Sequence, residues 1–477
     1  SERPPAASER LPEGSERLPG RLRETSWPRY GGRQGDWFTD PVPRRRNPLL
    51  TSLLGLRGNG RACVYTEPMW GLSMMLVLPY ASVFMLALGV RDEQIGLLAS
   101  IAILSQVVFG LLSGVITDKL GRRLTTAVFD VVAWVIPCAI WAVAQNFWAF
   151  LIASVVNGAW QVTQNSWDCL LVEDVERTEI TKVYSLIKVA AEFSALFAPI
   201  AAVLVSNLGL VPAVRILYVN AFVIMAVKIV LLYRLTTETD TGRVRREQTR
   251  GVSMWRLLAE YRGVLGLILH SKGTIFSLTI SAIVGAVALV NGTFWQLAIS
   301  QRLGVPDPLL PFFPMIRSIL SVVFFFTVIP YLTHAKHLKR PTLWGFVAYL
   351  LGQVLLVLIP GSHDAGPLTY GLLAICLVLD AFGAGILFML AESLVALHVD
   401  QAERSRVMAI QRTCVMLVTA PFGWISGWLS GMDRTWPFVL TSALLVLGIV
   451  VTWRAWVTTH TEPVVVGPGS PEAVPST

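Results

Sequence analysis

Apolar residues run along this chain in blocks of about twenty, each closed by a short polar stretch or by proline and glycine. Blocks at 68–90, 94–116, 122–145, 147–172, 182–206 and 211–233 form one group, and blocks at 273–300, 308–332, 341–360, 367–392, 405–430 and 436–457 form a second. A bilayer core takes about 20 helical residues per crossing, so each block predicts a spanning helix. A polar connector at 234–272 separates two expected six-helix bundles, 67–233 and 273–457. Residues 1–66 open with the repeats SERPPAA, SERLPEG and SERLPGR, too polar and proline-rich to bury a core, and predict a disordered cytoplasmic arm. A short disordered tail is expected at 458–477.

Composition agrees: 54% of residues are hydrophobic and only 15% charged, too apolar for a soluble core. The net charge of +8 does not point to nucleic acid, because the basic residues sit between apolar blocks instead of forming one patch. They collect in alternate loops: the arm, the 117–123 turn, the 173–182 turn, the connector, the 334–340 turn and the 399–406 turn. By the positive-inside rule both termini are expected in the cytoplasm, with the chain multi-pass in the inner membrane. Trp255, Leu258, Tyr261 and Leu265 fall at helical spacing, which predicts an amphipathic connector segment on the membrane surface. The five cysteines form no CxxC pair and read as packing residues.

The turn after the second block reads Gly114-Val-Ile-Thr-Asp118-Lys-Leu-Gly121-Arg122-Arg123. Gly114 lets two helices approach, Gly121 permits a tight reversal, and Asp118 is placed to pair with cations across a cytoplasmic gate. This motif resembles the signature of the major facilitator superfamily. The resemblance implies an all-α membrane protein of twelve transmembrane helices in two pseudo-symmetric six-helix bundles around a central pathway. It also implies an acid at the cytoplasmic end of the fourth helix with a basic residue after it, which Glu173, Asp174 and Arg177 fit. Glu392, Arg404 and Arg406 repeat that order in the second half, and Ala420-Pro421 echoes Ala198-Pro199. The signature's own counterpart, between His334 and Pro341, has lost its acid.

Polar groups at membrane depth are costly, so each is a candidate site. By the resemblance, helices one, two, four, five, seven, eight, ten and eleven border the pathway. On the fourth, Gln161, Asn165 and Asp168 share a face, with Trp160, Gln164 and Trp167 beside it, a set suited to a polar organic substrate. Arg317, Gln411 and Arg412 are candidates for the same site from the second half. Lys188 and Glu192 are four apart and expected to pair within the fifth helix, and Asp380 is expected to pair with Arg317 or Arg412. Glu192, Asp380 and Lys188 are therefore the candidate proton-coupling groups. Asp130, Arg215 and Lys228 lie on supporting helices and are expected to serve structural pairing or interfacial snorkelling.

No nucleophile–base pair, phosphate loop or metal cluster appears, and the six histidines are scattered, so no enzyme activity, cofactor or metal is expected. The expected function is secondary active transport of a small organic solute by alternating access, with protons and the bilayer as further partners, by a monomer. Efflux in exchange for protons is the leading reading. The Ala198-Pro199 turn resembles the antiporter Gly-Pro motif, although Ser154-Val-Val-Asn157-Gly158 lacks the arginine that many drug–proton antiporters place there. Proton-coupled uptake of a polar nutrient such as a sugar is the alternative. A receptor or scaffold of transporter ancestry is the third.

Overall fold

The computed structural model describes residues 55–175, 180–253, 272–327, 339–398 and 404–459. Among them every regular element is helical. The first half contains α1 (Gly58–Ala87), α2 (Asp92–Leu120), α3 (Arg122–Val143), α5 (Lys182–Leu208) and α6 (Leu210–Leu235). The second contains α7 (Lys272–Gln301), α8 (Asp307–Phe324), α9 (Lys339–Leu358), α10 (Pro367–His398), α11 (Arg404–Met432) and α12 (Trp436–Thr459). Eleven helices among the described residues are thus long and apolar enough to cross a membrane.

The remaining crossing, α4, is a helix in two pieces, Phe147–Asn157 and Trp160–Val172, neither long enough alone. Its break follows from local chemistry. A side chain at Gly158 would collide with Ser105 of α2, and the Ser105 hydroxyl donates to the Val155 carbonyl at 2.7 Å. Helix α3 is interrupted for a related reason. Pro137 has no N–H for the carbonyl four residues back, that of Ala133, and Asn157 Nδ2 supplies the missing donor at 2.7 Å. The α3 backbone widens to a π turn over Val131–Val135 just before that proline.

Helix α1 begins ten residues before the apolar block at 68–90, because Arg61 and Glu67 interrupt the hydrophobic pattern but not the helix. The connector is described as far as residue 253 and contains a short helix, Asp240–Gln248, capped by the Thr239 hydroxyl on the Gly242 amide at 3.0 Å. The proposed amphipathic stretch from Trp255 to Leu265 lies outside the described residues.

The halves meet most extensively along α2 and α11. Gly96 of α2 faces Gly423 and Gly427 of α11 so closely that any side chain there would strike the opposite backbone. Ser100 Oγ donates to the Ala420 carbonyl at 2.6 Å and accepts from the Trp424 amide at 2.7 Å. Asp92 accepts from Ser430 at 2.6 Å and from Arg434 at 3.4 Å. All these contacts involve the start of α2 with the later part of α11 and the turn after it, the end remote from the basic turn at 117–123. The largest apolar cluster, which includes Tyr80 and Phe84 of α1 and Phe294 and Trp295 of α7, also spans both halves.

Candidate functional site

At the basic end, the reversal between α2 and α3 is made by Gly121 at φ +87°, a conformation that other residues rarely adopt. A Cβ there would also lie 2.5 Å from Glu238 Oε2. The Glu238 carboxylate accepts the amides of Arg122 at 2.7 Å and Arg123 at 3.1 Å. These are the free N–H groups of the first turn of α3, where the helix end favours an anion. Arg122 is buried and bridges two acids: Asp118 at 2.8 Å and Glu173 at 3.2 Å. Glu173 accepts in addition from the Thr239 hydroxyl. Arg123 donates to the Tyr233 carbonyl at 2.6 Å and stacks over that ring at 4.0 Å. Asp174 accepts from Asn59 Nδ2 at 2.8 Å.

Among the described residues Asp118 finds its cation four residues on, within the first half. The network's described partners all come from the first half and the connector. Gly114 sits one turn before Asp118 on α2. Arg177 lies outside the described residues, and Glu392, Arg404 and Arg406 are placed only as backbone positions on α10 and α11.

The polar face of α4 divides in two. Trp160, Gln164 and Trp167 turn into a cavity of about 300 Å³ inside the first half, shared with Glu67 and Trp70 of α1, Asp130 and Trp134 of α3, and Lys228 of α6. Asp130 and Lys228 are almost fully buried and pair at 3.4 Å. The other α4 residues point elsewhere. Gln161 reaches Met416 Sδ of α11 at 3.9 Å, and Asn165 donates to Thr117 of α2 at 3.2 Å. Asp168 is bonded to Gln164 and feels the charge of Arg412. Gln411 is buried, with no partner for its Oε1 among the described residues, whereas Arg412 is exposed.

Lys188 and Glu192 form their ion pair along α5 at 3.0 Å, with the lysine 66% exposed. Asp380 of α10 is buried and accepts from Gln353 Nε2 of α9 at 3.2 Å on Oδ1 and 3.4 Å on Oδ2. Thr441 of α12 donates to Gln353 Oε1 at 3.0 Å and so fixes the amide's orientation. Gly352 leaves the space for Oδ1, since a Cβ would lie 2.5 Å from it. The expected cation is near but not paired: the Arg317 charge acts on Asp380 without an ion pair, and no ion pair joins Asp380 to Arg412. Glu67, Trp134 and Gln353 were not among the sequence candidates. The signals for them were an acid beside Pro68 at a block edge and a lone amide amid the apolar residues of α9.

No curated protein matches this chain in sequence. Solved structures do match in fold. The nucleoside transporter NupG has a TM-score of 0.65 at 13% identity, covering 85% of this chain and 100% of that one. The human organic anion transporter MFSD10 (TETRAN) has a TM-score of 0.58 at 15% identity, covering 85% and 100%. A POT family transporter in complex with a thioalcohol-conjugated peptide has a TM-score of 0.59 at 13% identity, covering 86% and 99%. The sequence model of the Major Facilitator Superfamily matches residues 69–375, well over half of the chain. With helices, break and signature turn arranged as above, this multi-pass membrane transporter belongs to the Major Facilitator Superfamily.

Proposed function

We propose that this transporter exports a small organic solute in exchange for protons, by alternating access between its two halves. The observation that carries the coupling is Asp380, a buried acid whose hydrogen bonds among the described residues come from a neutral amide. A carboxylate so placed is compensated weakly enough that a change in water access shifts its proton occupancy. Glu192, with Lys188 as its local counter-ion, is the second candidate carrier. The basic loops assign the Arg122 end to the cytoplasm of an inner-membrane protein. In that assignment the α2–α11 seam closes the outer side, and the Asp118–Arg122–Glu173 cluster holds the first half's inner end.

Proteoliposomes loaded with a pH-sensitive dye test the coupling. A panel of organic cations, neutral solutes and nucleosides is applied as outward gradients. Proton entry that follows one of these gradients, and disappears in Asp380→Asn, is the expected result. Solute flux with no proton movement removes the coupling. The polar row Gln161, Asn165 and Asp168 favours a second reading, uptake of a polar solute with protons. Co-directional movement of solute and proton in the same assay selects it.

A further inference from the structure

The cavity inside the first half is not explained by packing. Three indoles follow one another along its wall, Trp70 to Trp134 at 5.6 Å and Trp134 to Trp160 at 6.5 Å between ring centroids, and Trp167 also lines it. Close packing would fill such a space in an ordinary helix bundle. Its volume of about 300 Å³ is at the lower end of the range for ligand pockets. The Thr163 hydroxyl acts on the Asp130 carboxylate within it, and Trp167 Nε1 is buried without a hydrogen-bond partner among the described residues. Buried polar atoms are ordinarily satisfied, so an unpaired indole N–H beside open space marks a place where a partner is missing.

The charges define that partner. Glu67 and Asp130 are acids and Lys228 is the one cation among the lining residues, so the ionised lining carries one surplus negative charge. Asp130 and Lys228 meet at 3.4 Å, loose for a charge-assisted bond, which is ordinarily about 2.7–2.9 Å. Glu67 has no ion pair or hydrogen bond among the described residues. It feels the charges of Lys228, Asp130 and Asp168, and Cys63 is the other titratable group facing this cluster. An anion is repelled by the acids, and a neutral guest leaves the surplus charge uncompensated. A small monovalent organic cation neutralises it and presents itself to indole faces, the strongest cation–π partners among side chains.

We propose that this cavity, lined by α1, α3, α4, α5 and α6 and lying within one half, is a binding site for a small apolar organic cation. Glu67 and Asp130 supply the charge, and Trp70, Trp134 and Trp160 supply the aromatic wall. A single proton on Glu67 neutralises the lining equally well, so proton and organic cation exclude one another. The inference rests on the transport reading only in treating the bound cation as cargo.

Calorimetric titration of the purified full chain with benzyltrimethylammonium tests the site, with neopentylbenzene as its neutral carbon isostere. Saturable binding of the cation near neutral or mildly alkaline pH is expected. Glu67→Gln should weaken it at least ~10-fold, as loss of one ionic contact predicts, and Trp134→Leu should also weaken it. Acidification should weaken binding to the unmutated chain and not to Glu67→Gln. A sharp thermal transition and monodisperse elution establish that each variant is folded. Equal binding of the neutral isostere, unchanged affinity in folded Glu67→Gln, or no binding to the folded unmutated chain overturns the site. Proteoliposome flux on the same preparations separates the two proposals. Proton-coupled flux without cation binding overturns this site alone, and cation binding without flux supports the site while overturning the transport reading.

Discussion

Each half of the molecule holds an acid deep among its helices, Asp130 and Asp380, and the two are treated differently. In the first half Asp130 of α3 faces Lys228 of α6 beside open space lined by indoles. In the second, Asp380 of α10 faces Gln353 of α9, which Thr441 of α12 orients, and Gly352 lets the helices close over the carboxylate. One acid is compensated by a charge and stands beside open space. The other is compensated by an amide and packed tightly. A loosely held charge beside a cavity can exchange its partner for a guest, whereas an acid closed against a glycine changes state when a proton arrives or a helix moves. Two halves of one architecture thus surround buried carboxylates with different chemistry.

Removing one compensating group from each half separates the two most sharply. Lys228→Met leaves Asp130 buried with no cation and should cost about 3–5 kcal/mol of folding stability, read by thermal or denaturant unfolding in detergent. Gln353→Leu removes only a neutral donor and should cost about 1–3 kcal/mol. Equal losses would erase the distinction between ionic and amide compensation.

The signature turn belongs to the first half alone in its intact form. Gly121→Val combines an unfavourable φ with a collision against Glu238 and should reduce proteoliposome flux more than ~10-fold, with membrane insertion retained. Full flux in this variant would show that the turn can reshape without cost.

Gly352→Ala places a methyl group against Asp380 Oδ1 and should cost about 1–3 kcal/mol by overpacking. The same change at Gly292, where a Cβ meets nothing within 4 Å, should be nearly neutral. Asp380→Asn keeps the shape and removes the charge. It should change stability little and abolish uphill accumulation while sparing solute exchange.

The smallest effect concerns helix caps. In the first half Asn146 caps α4 by accepting from the Ala149 amide at 3.2 Å, a neutral cap. In the second, Asp433 accepts from the Thr435 amide at 2.7 Å and its hydroxyl at 2.6 Å ahead of α12. Those bonds hold the Asp433 carboxyl below its ordinary 3.8. A lowered carboxyl contributes stability above its unfolded-state value and loses it as pH falls through the folded value, so the window lies on the acid side of about pH 4. Asp433 is mostly exposed, so solvent screening keeps the contribution small. Asp433→Asn should remove that segment of the stability–pH curve, and Asn146→Ala should lower the curve evenly.

Much of this molecule was legible in its residues. Apolar blocks of bilayer length set the crossings, because hydrocarbon forces backbone groups to bond within one helix. The signature turn and the i, i+4 pair Lys188 and Glu192 are local features, and local spacing brings their groups together. Chain spacing also put Asp118 and Arg122 within reach of each other, yet it could not tell that pairing from one across the gate.

What only the tertiary structure decided is which partners distant helices bring. The sequence showed that α4 was polar, but its break at Gly158, imposed by contact with Ser105, helps set which side chains face α1, α3 and α6 and which face α11. Glu67 stood at the edge of an apolar block, and only the approach of α3 and α6 made it part of a charged cavity. Asp380 was visible as a costly acid, while its partner was settled by the closeness of α9 that Gly352 allows. Spacing along a helix fixes which residues share a face, and the packing of helices far apart in sequence fixes what that face meets.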